Sequence, residues 1–282
     1  MKRACCLAGT AVVALLGFVV ATPAAAVQGT TPSGLTQDVN VTQSSTQAGQ
    51  PTHGTITTTL HNADNSRPSE TVGITVQLPA GMTRNTSSFA TCDPFTLLDR
   101  GPEACPGSTI GTGSALYDAG PLLPRPLSAR LPITNGPDGN VLLSWLPQQH
   151  GPNNVWEGRP TGSSTIEFVI PPILTIPSVP NGALTQLTLD FASGYLTNPP
   201  DCPIGDWTWG FAFAYQNGET VPLSVNVPCT DAPSPPTGNG KNRAKACKAE
   251  RAAIGTAAFR EKYGTNKKGS NAFGKCASGK DR

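Results

Sequence analysis

Between Lys2 and Lys241 the chain has no lysine at all. That gap excludes from most of its length any chemistry that needs a lysine amine. Charged residues of both signs make up only 13% of the sequence, against about a quarter in an ordinary soluble domain. Histidine is scarce as well: His53, His61 and His150 are the only three, so a serine or cysteine nucleophile has very few bases to call on. No GxSxG elbow, HExxH, SxxK or phosphate-binding loop occurs, which removes the commonest hydrolytic and nucleotide-binding arrangements. Paired carboxylates are recognised in space rather than in sequence, so Glu167, Asp190, Asp201 and Asp206 remain candidates for a secreted hydrolase. The leading reading is non-enzymatic, with no cofactor and no bound metal.

Long apolar runs are missing too, with one exception at the start. Met1, Lys2 and Arg3 form a charged leader, residues 7–20 form an apolar stretch, and Ala24, Ala25 and Ala26 supply the small residues that a signal peptidase requires. Residues 1–26 are therefore expected to be a cleaved signal peptide. No later segment approaches the roughly 20 apolar residues needed to span a bilayer, so no transmembrane segment is expected in the mature chain, which is read as secreted. Cys5 and Cys6 precede Leu7, Ala8 and Gly9 instead of following them, the wrong order for a lipid anchor.

Losing that leader removes two of the eight cysteines and leaves Cys92, Cys105, Cys202, Cys229, Cys247 and Cys276. An even number in an exported chain reads as disulfides. Sequence alone cannot choose among the connectivities, but pairing neighbours, 92 with 105, 202 with 229 and 247 with 276, makes each bridge close one local segment. Zinc is the rival use of clustered cysteines, and here there is no CxxC pair and no histidine near one.

What is present in quantity is glycine (30), proline (28) and β-branched residues. Ten runs read as strands, among them QDVNVTQS, GTITTTLHN, NVLLSWLP, DWTWGFAFAYQNG and TVPLSVNVPC, each bounded by Gly, Pro, Asn or Asp. In GTITTTLHN, Ile56, Thr58 and Leu60 fall on one face and Thr55, Thr57 and Thr59 on the other, the period of a half-buried strand. Residues 27–230 are thus expected to form an all-β body, a sandwich that is either one large unit or two small ones.

Two stretches carry resemblances. TQAGQPTHGTITTTLHNADNS followed by VGITVQLPAGM resembles the immunoglobulin-like modules of bacterial surface proteins, which implies an immunoglobulin-like β-sandwich. Some of those modules cross-link themselves through a lysine and an asparagine, and residues 27–240 offer no lysine for it. CDPFTLLDRGPEACPGSTIGTG, DCPIGDWTWGFAFAYQNG and CKAERAAIGTAAFREKYGTNKKGSNAFGKC together resemble uncharacterised exported proteins of actinobacterial (high-GC Gram-positive) type. That likeness spans most of the mature chain and implies a secreted, disulfide-bonded, β-rich protein without implying an activity.

The aromatic run raises a choice. Trp207, Trp209, Phe211, Phe213 and Tyr215 share one parity, so all five rings point the same way. Either they fill the core, each burying about 150–250 Å², or they form a platform on which sugar rings stack. The core reading is favoured, because five exposed rings on a strand invite aggregation; Trp207, first in the run, is the ring placed to protrude. Trp145 reads as core. Trp156 lies in the polar stretch QQHGPNNVWEGRP, which reads as a loop able to contribute to a small ligand site or to tuck its ring against the body. Trp156 and Trp207 are the candidate polysaccharide contacts.

The C-terminal segment reverses the composition. Residues 231–240 read as a Pro/Gly-rich linker, and residues 241–282 hold twelve Lys or Arg against three acids, a net of +9. Residues 27–240 hold six Arg against fifteen acids, a net of −9. Residues 244–263 are rich in strong helix formers and end at Gly264. Phe259 and Tyr263, four apart, share a face. A bridge from Cys247 to Cys276 folds the following stretch back on the helix and makes a small stapled module. Lys245, Lys248, Lys262, Lys267, Lys268 and Lys275 are its candidate contacts. The expected partner is an anionic cell-envelope polymer or the chain's own acidic body; nucleic acid is not expected, since no DNA- or RNA-binding pattern is present.

Overall fold

The computed structural model describes residues 26–120, 126–148, 153–173, 181–202, 204–231, 240–264, 266 and 270–278. The expected leader, most of the linker, His150, Lys267 and Lys268 lie outside the described residues.

All ten expected runs form strands. In chain order the first are β1 (Val27–Thr30), β2 (Leu35–Gln43), β3 (Pro51–Asn62), β4 (Thr71–Gln77) and the short β5 (Thr83–Arg84). A short helix, α1 (Pro94–Arg100), precedes β6 (Thr109–Asp118), β7 (Leu127–Arg130), β8 (Ile133–Asn135) and β9 (Val141–Pro147). Then come β10 (Asn154–Pro160), β11 (Thr165–Val169), β12 (Ala183–Thr197), β13 (Asp206–Tyr215) and β14 (Thr220–Pro228). Two helices, α2 (Gly240–Tyr263) and α3 (Ala272–Ser278), make up the C-terminal module.

The strands join in one large antiparallel sheet of order β1-β2-β3-β12-β6-β7-β9-β10-β11-β4-β13-β14, with β5 on β12 and β8 between β6 and β9. The strands thus belong to one sheet, not to two separate ones. Alternation explains which face each strand buries: along β14, Val221, Leu223, Val225 and Val227 are buried while Pro222, Ser224 and Asn226 are exposed. Pro222 is tolerated because β14 ends the hydrogen-bonded path.

The sheet curls until its two ends meet through side chains. A Cβ placed on Gly29 in β1 would lie 2.7 Å from Val221 and 2.8 Å from Leu223, so only glycine lets these edges approach so closely. Tyr215 Oη donates to Gln37 Oε1 at 3.1 Å across the closure. At its rim the Ser33 backbone N–H donates to Glu219 at 3.0 Å and the Ser33 hydroxyl donates to the same carboxylate, which holds the Glu219 carboxyl below its ordinary range. One continuous core results, with Val39, Ile56, Ile110, Leu143, Ile166, Phe213 and Val225 all buried in it.

The three disulfides pair neighbours as expected: Cys92–Cys105, Cys202–Cys229 and Cys247–Cys276. The first encloses α1, a helix the sequence reading left out. Asp93 caps it by accepting from the Thr96 backbone N–H at 2.9 Å, with Pro94 at its first turn. Leu97 then packs with that disulfide on Leu142.

Candidate functional site

Both proposed tryptophan contacts turn inward. The stretch around Trp156 is not a loop but β10, hydrogen-bonded on both sides to β9 and β11. Trp156 is 1% exposed and stacks on Trp145 at 4.7 Å with 20° between the ring planes. Alternation puts Trp156 and Gly158 on the core side, leaving Glu157 and Arg159 to pair with each other outside at 2.7 Å.

Trp207 does not protrude. It is 4% exposed, packs with Ala48 beneath the Cys202–Cys229 bridge, and donates from Nε1 to the Asp201 carbonyl at 2.9 Å. The other four rings of the run are 5% exposed or less, so the aromatic face of β13 is core and the small residues Gly210, Ala212 and Ala214 look outward. With both rings buried, neither is available to stack on a sugar.

Two of the four candidate carboxylates, Asp190 and Glu167, have side-chain partners of their own. Asp190 accepts from Thr55 Oγ1 at 3.0 Å and contacts the His53 ring on the outer face of β3 and β12, whereas Glu167 accepts from Thr161 at 3.1 Å on β11. Asp201 and Asp206 flank the Cys202–Cys229 region. Among the described residues no hydrogen bond or ion pair joins any two of the four.

The C-terminal module brings more of the predicted residues together. Its core is Cys247, Phe259, Ala272 and Cys276, with Tyr263 and Ala277 against it. The Phe259 and Tyr263 rings lie 4.9 Å apart, as their four-residue spacing implies. Glu250 is buried at 5% exposure and accepts from Lys262 Nζ at 2.8 Å and from Tyr263 Oη at 3.0 Å. Lys262, one of the expected surface contacts, is thus committed to an internal pair and also sits 5.4 Å over the Tyr263 ring.

The helix is not continuous. At Gly255, with φ 82° and ψ 160°, α2 breaks, a conformation essentially confined to glycine. Beside the break lies a groove of about 560 Å³ lined by Lys248, Arg251, Ala252, Gly255, Thr256 and Phe273. Lys245, Lys248 and Arg251 are exposed and recur at three-residue intervals, which places them along one side of the helix. Lys275 on α3 is half-buried. Phe273 keeps its ring 6.4 Å from Phe259 yet is 37% exposed, so it covers the small core and also presents a face to the groove. Arg251 is not among the contacts expected from the sequence, although its spacing from Lys245 and Lys248 carries the signal.

A second open cleft, about 610 Å³, lies on the body and includes Arg84, Thr86, Asp138, Ser163 and Ser164. Arg84 donates to the Gly139 carbonyl at 2.8 Å there, and among the described residues no histidine or cysteine lines the cleft. Among the described residues no helix is long and apolar enough to cross a membrane. No protein-family model matches the chain, and no curated protein matches it.

Proposed function

We propose that the chain is an exported protein of the cell envelope, of the actinobacterial kind its sequence resembles, and that its basic C-terminal module holds it against an anionic envelope polymer. The body, immunoglobulin-like in the strands around residues 46–82, is the part presented outward. One observation carries this reading: the lysines absent from residues 27–240 are gathered on a disulfide-closed module, where Lys245, Lys248 and Arg251 line one exposed side. A stapled fold holds those cations at fixed spacing, and fixed cations concentrate an anionic polymer more effectively than a loose tail does.

Each Lys or Arg near an anionic surface contributes about 1 kcal/mol. Replacing Lys248 and Arg251 together by Gln in the mature chain is therefore expected to weaken sedimentation with isolated cell envelopes roughly thirtyfold. The wild-type protein is expected to be released as salt rises, because these charges are exposed and screened. Sedimentation that ignores both salt and the double substitution overturns the reading.

A further inference from the structure

The groove at the Gly255 break has a makeup that charge alone does not require. Its lining combines two cations, Lys248 and Arg251, with Thr256 and the partly exposed Phe273. A site for a bare polyanion needs only the cations, and the rest of the module offers those on its open surface at Lys245. The groove instead pairs an apolar aromatic wall with charge at one side, and its volume of about 560 Å³ falls in the range of small-molecule sites, about 300–1,000 Å³.

Phe273 is held in place for such a role. Its ring leans on Phe259, which is 1% exposed, and α3 is tied to α2 by Cys247–Cys276. A residue with 37% of its surface in solvent, on a module whose described hydrophobic core is four residues, is apolar area that the fold had every reason to bury and does not. Gly255 also lines the groove, and a Cβ there would meet nothing within 4 Å; the glycine is required by its φ, not by crowding.

Building on the envelope-binding reading, we propose that this groove is a binding site for one anionic pyranose unit. The C–H face of the sugar ring lies on Phe273, Lys248 and Arg251 take the anionic group, and Thr256 bonds a ring hydroxyl. Uronic acids and sugar phosphates share this chemistry, a pyranose ring with one anionic substituent.

The test uses the full mature chain and three probes: polygalacturonate, a phosphodiester-linked hexose polymer, and inorganic polyphosphate, which has charge but no ring. Expected is tighter binding of at least one sugar polymer than of polyphosphate at equal charge. Phe273→Leu should lower the sugar affinity several-fold, by removing the flat aromatic face, and leave polyphosphate binding unchanged. Phe273→Tyr should restore the sugar affinity, and circular dichroism of each variant reports whether the module stays folded. The two sugar polymers decide between carboxylate and phosphate. Equal binding of all three probes, unaffected by Phe273→Leu, overturns the groove as a sugar site and leaves the electrostatic anchor standing. Failure of every probe to bind, with no envelope sedimentation either, overturns both.

Discussion

The body and the module solve the problem of stability in opposite ways. The body draws a single core from nearly every strand of a sheet that closes on itself. Among the described residues the module's hydrophobic core is four residues, two of which are the halves of its own disulfide. A body of that size buries enough surface to stand on hydrophobic packing, with cross-links at its margins, whereas a segment of this length has too little interior and depends on a staple. Charge divides along the same line. The large core leaves the body free to carry −9 with no lysine, and the staple lets the module carry +9 despite the self-repulsion that such a density brings.

The sharpest way to break the comparison is to cut the staple. In the Cys247→Ser variant the module is expected to lose its helices outright. The bridge spans 29 residues, and closing a loop of that size supplies about 3–4 kcal/mol, more than the rest of so small a core provides. The body should melt as before, because Cys92–Cys105 holds α1 and Cys202–Cys229 holds the Trp207 cluster, both beside the main core. Circular dichroism resolves the two responses, since among the described residues most of the α-helix is in the module. Persistence of that signal after the substitution would show that packing, not the cross-link, holds α2 and α3 together.

The body's counterpart is Trp156→Ala, which removes a ring stacked on Trp145 and is expected to cost the body about 3–5 kcal/mol. Envelope sedimentation should not change at temperatures where the body stays folded. A melt shifted by less than about 1 kcal/mol would mean that the space collapses onto Trp145 and Tyr117, whose rings already lie 5.1 Å apart.

Much of the body was legible because alternation is a local signal. β3 and β14 announce their inner faces residue by residue. β10 escaped because its inner positions are Trp156 and then Gly158, and a glycine is silent in a hydrophobic pattern. The structure shows why glycine stands there: a Cβ on residue 158 would lie 2.4 Å from the Phe168 ring. α1 escaped because seven residues are too few to establish a helical period, although Asp93–Pro94 is a start signal in its own right. The approach of β1 to β14, Gly29 against Val221 and Leu223, joins residues far apart in the chain, and no local pattern encodes it. At the candidate site the cationic side was readable from three-residue spacing, but the groove was not, since it depends on Gly255 leaving helical geometry in a stretch of strong helix formers.

The smallest expected effect concerns the phenols of the body. Burial raises Tyr215, Tyr195 and Tyr117 above the ordinary tyrosine value of 10.0, with the Glu219 charge adding to the effect at Tyr215 and Arg84 opposing it at Tyr195. In the unfolded chain these groups ionise near their ordinary value, while in the folded body they keep their protons to higher pH. Above pH 10 the unfolded state therefore binds fewer protons, and stability falls as pH rises; below that value the effect vanishes. Thermal melts in steps from about pH 8 to about pH 12 should show a flat region followed by a decline. Tyr215→Phe should reduce the steepness of that decline. At neutral pH it should cost only about 1 kcal/mol, the usual worth of a hydrogen bond such as the one to Gln37. A decline equally steep in the variant would mean that Tyr215 ionises freely despite being 2% exposed, and the two ends of the sheet would then have to open far more readily than the core behind them.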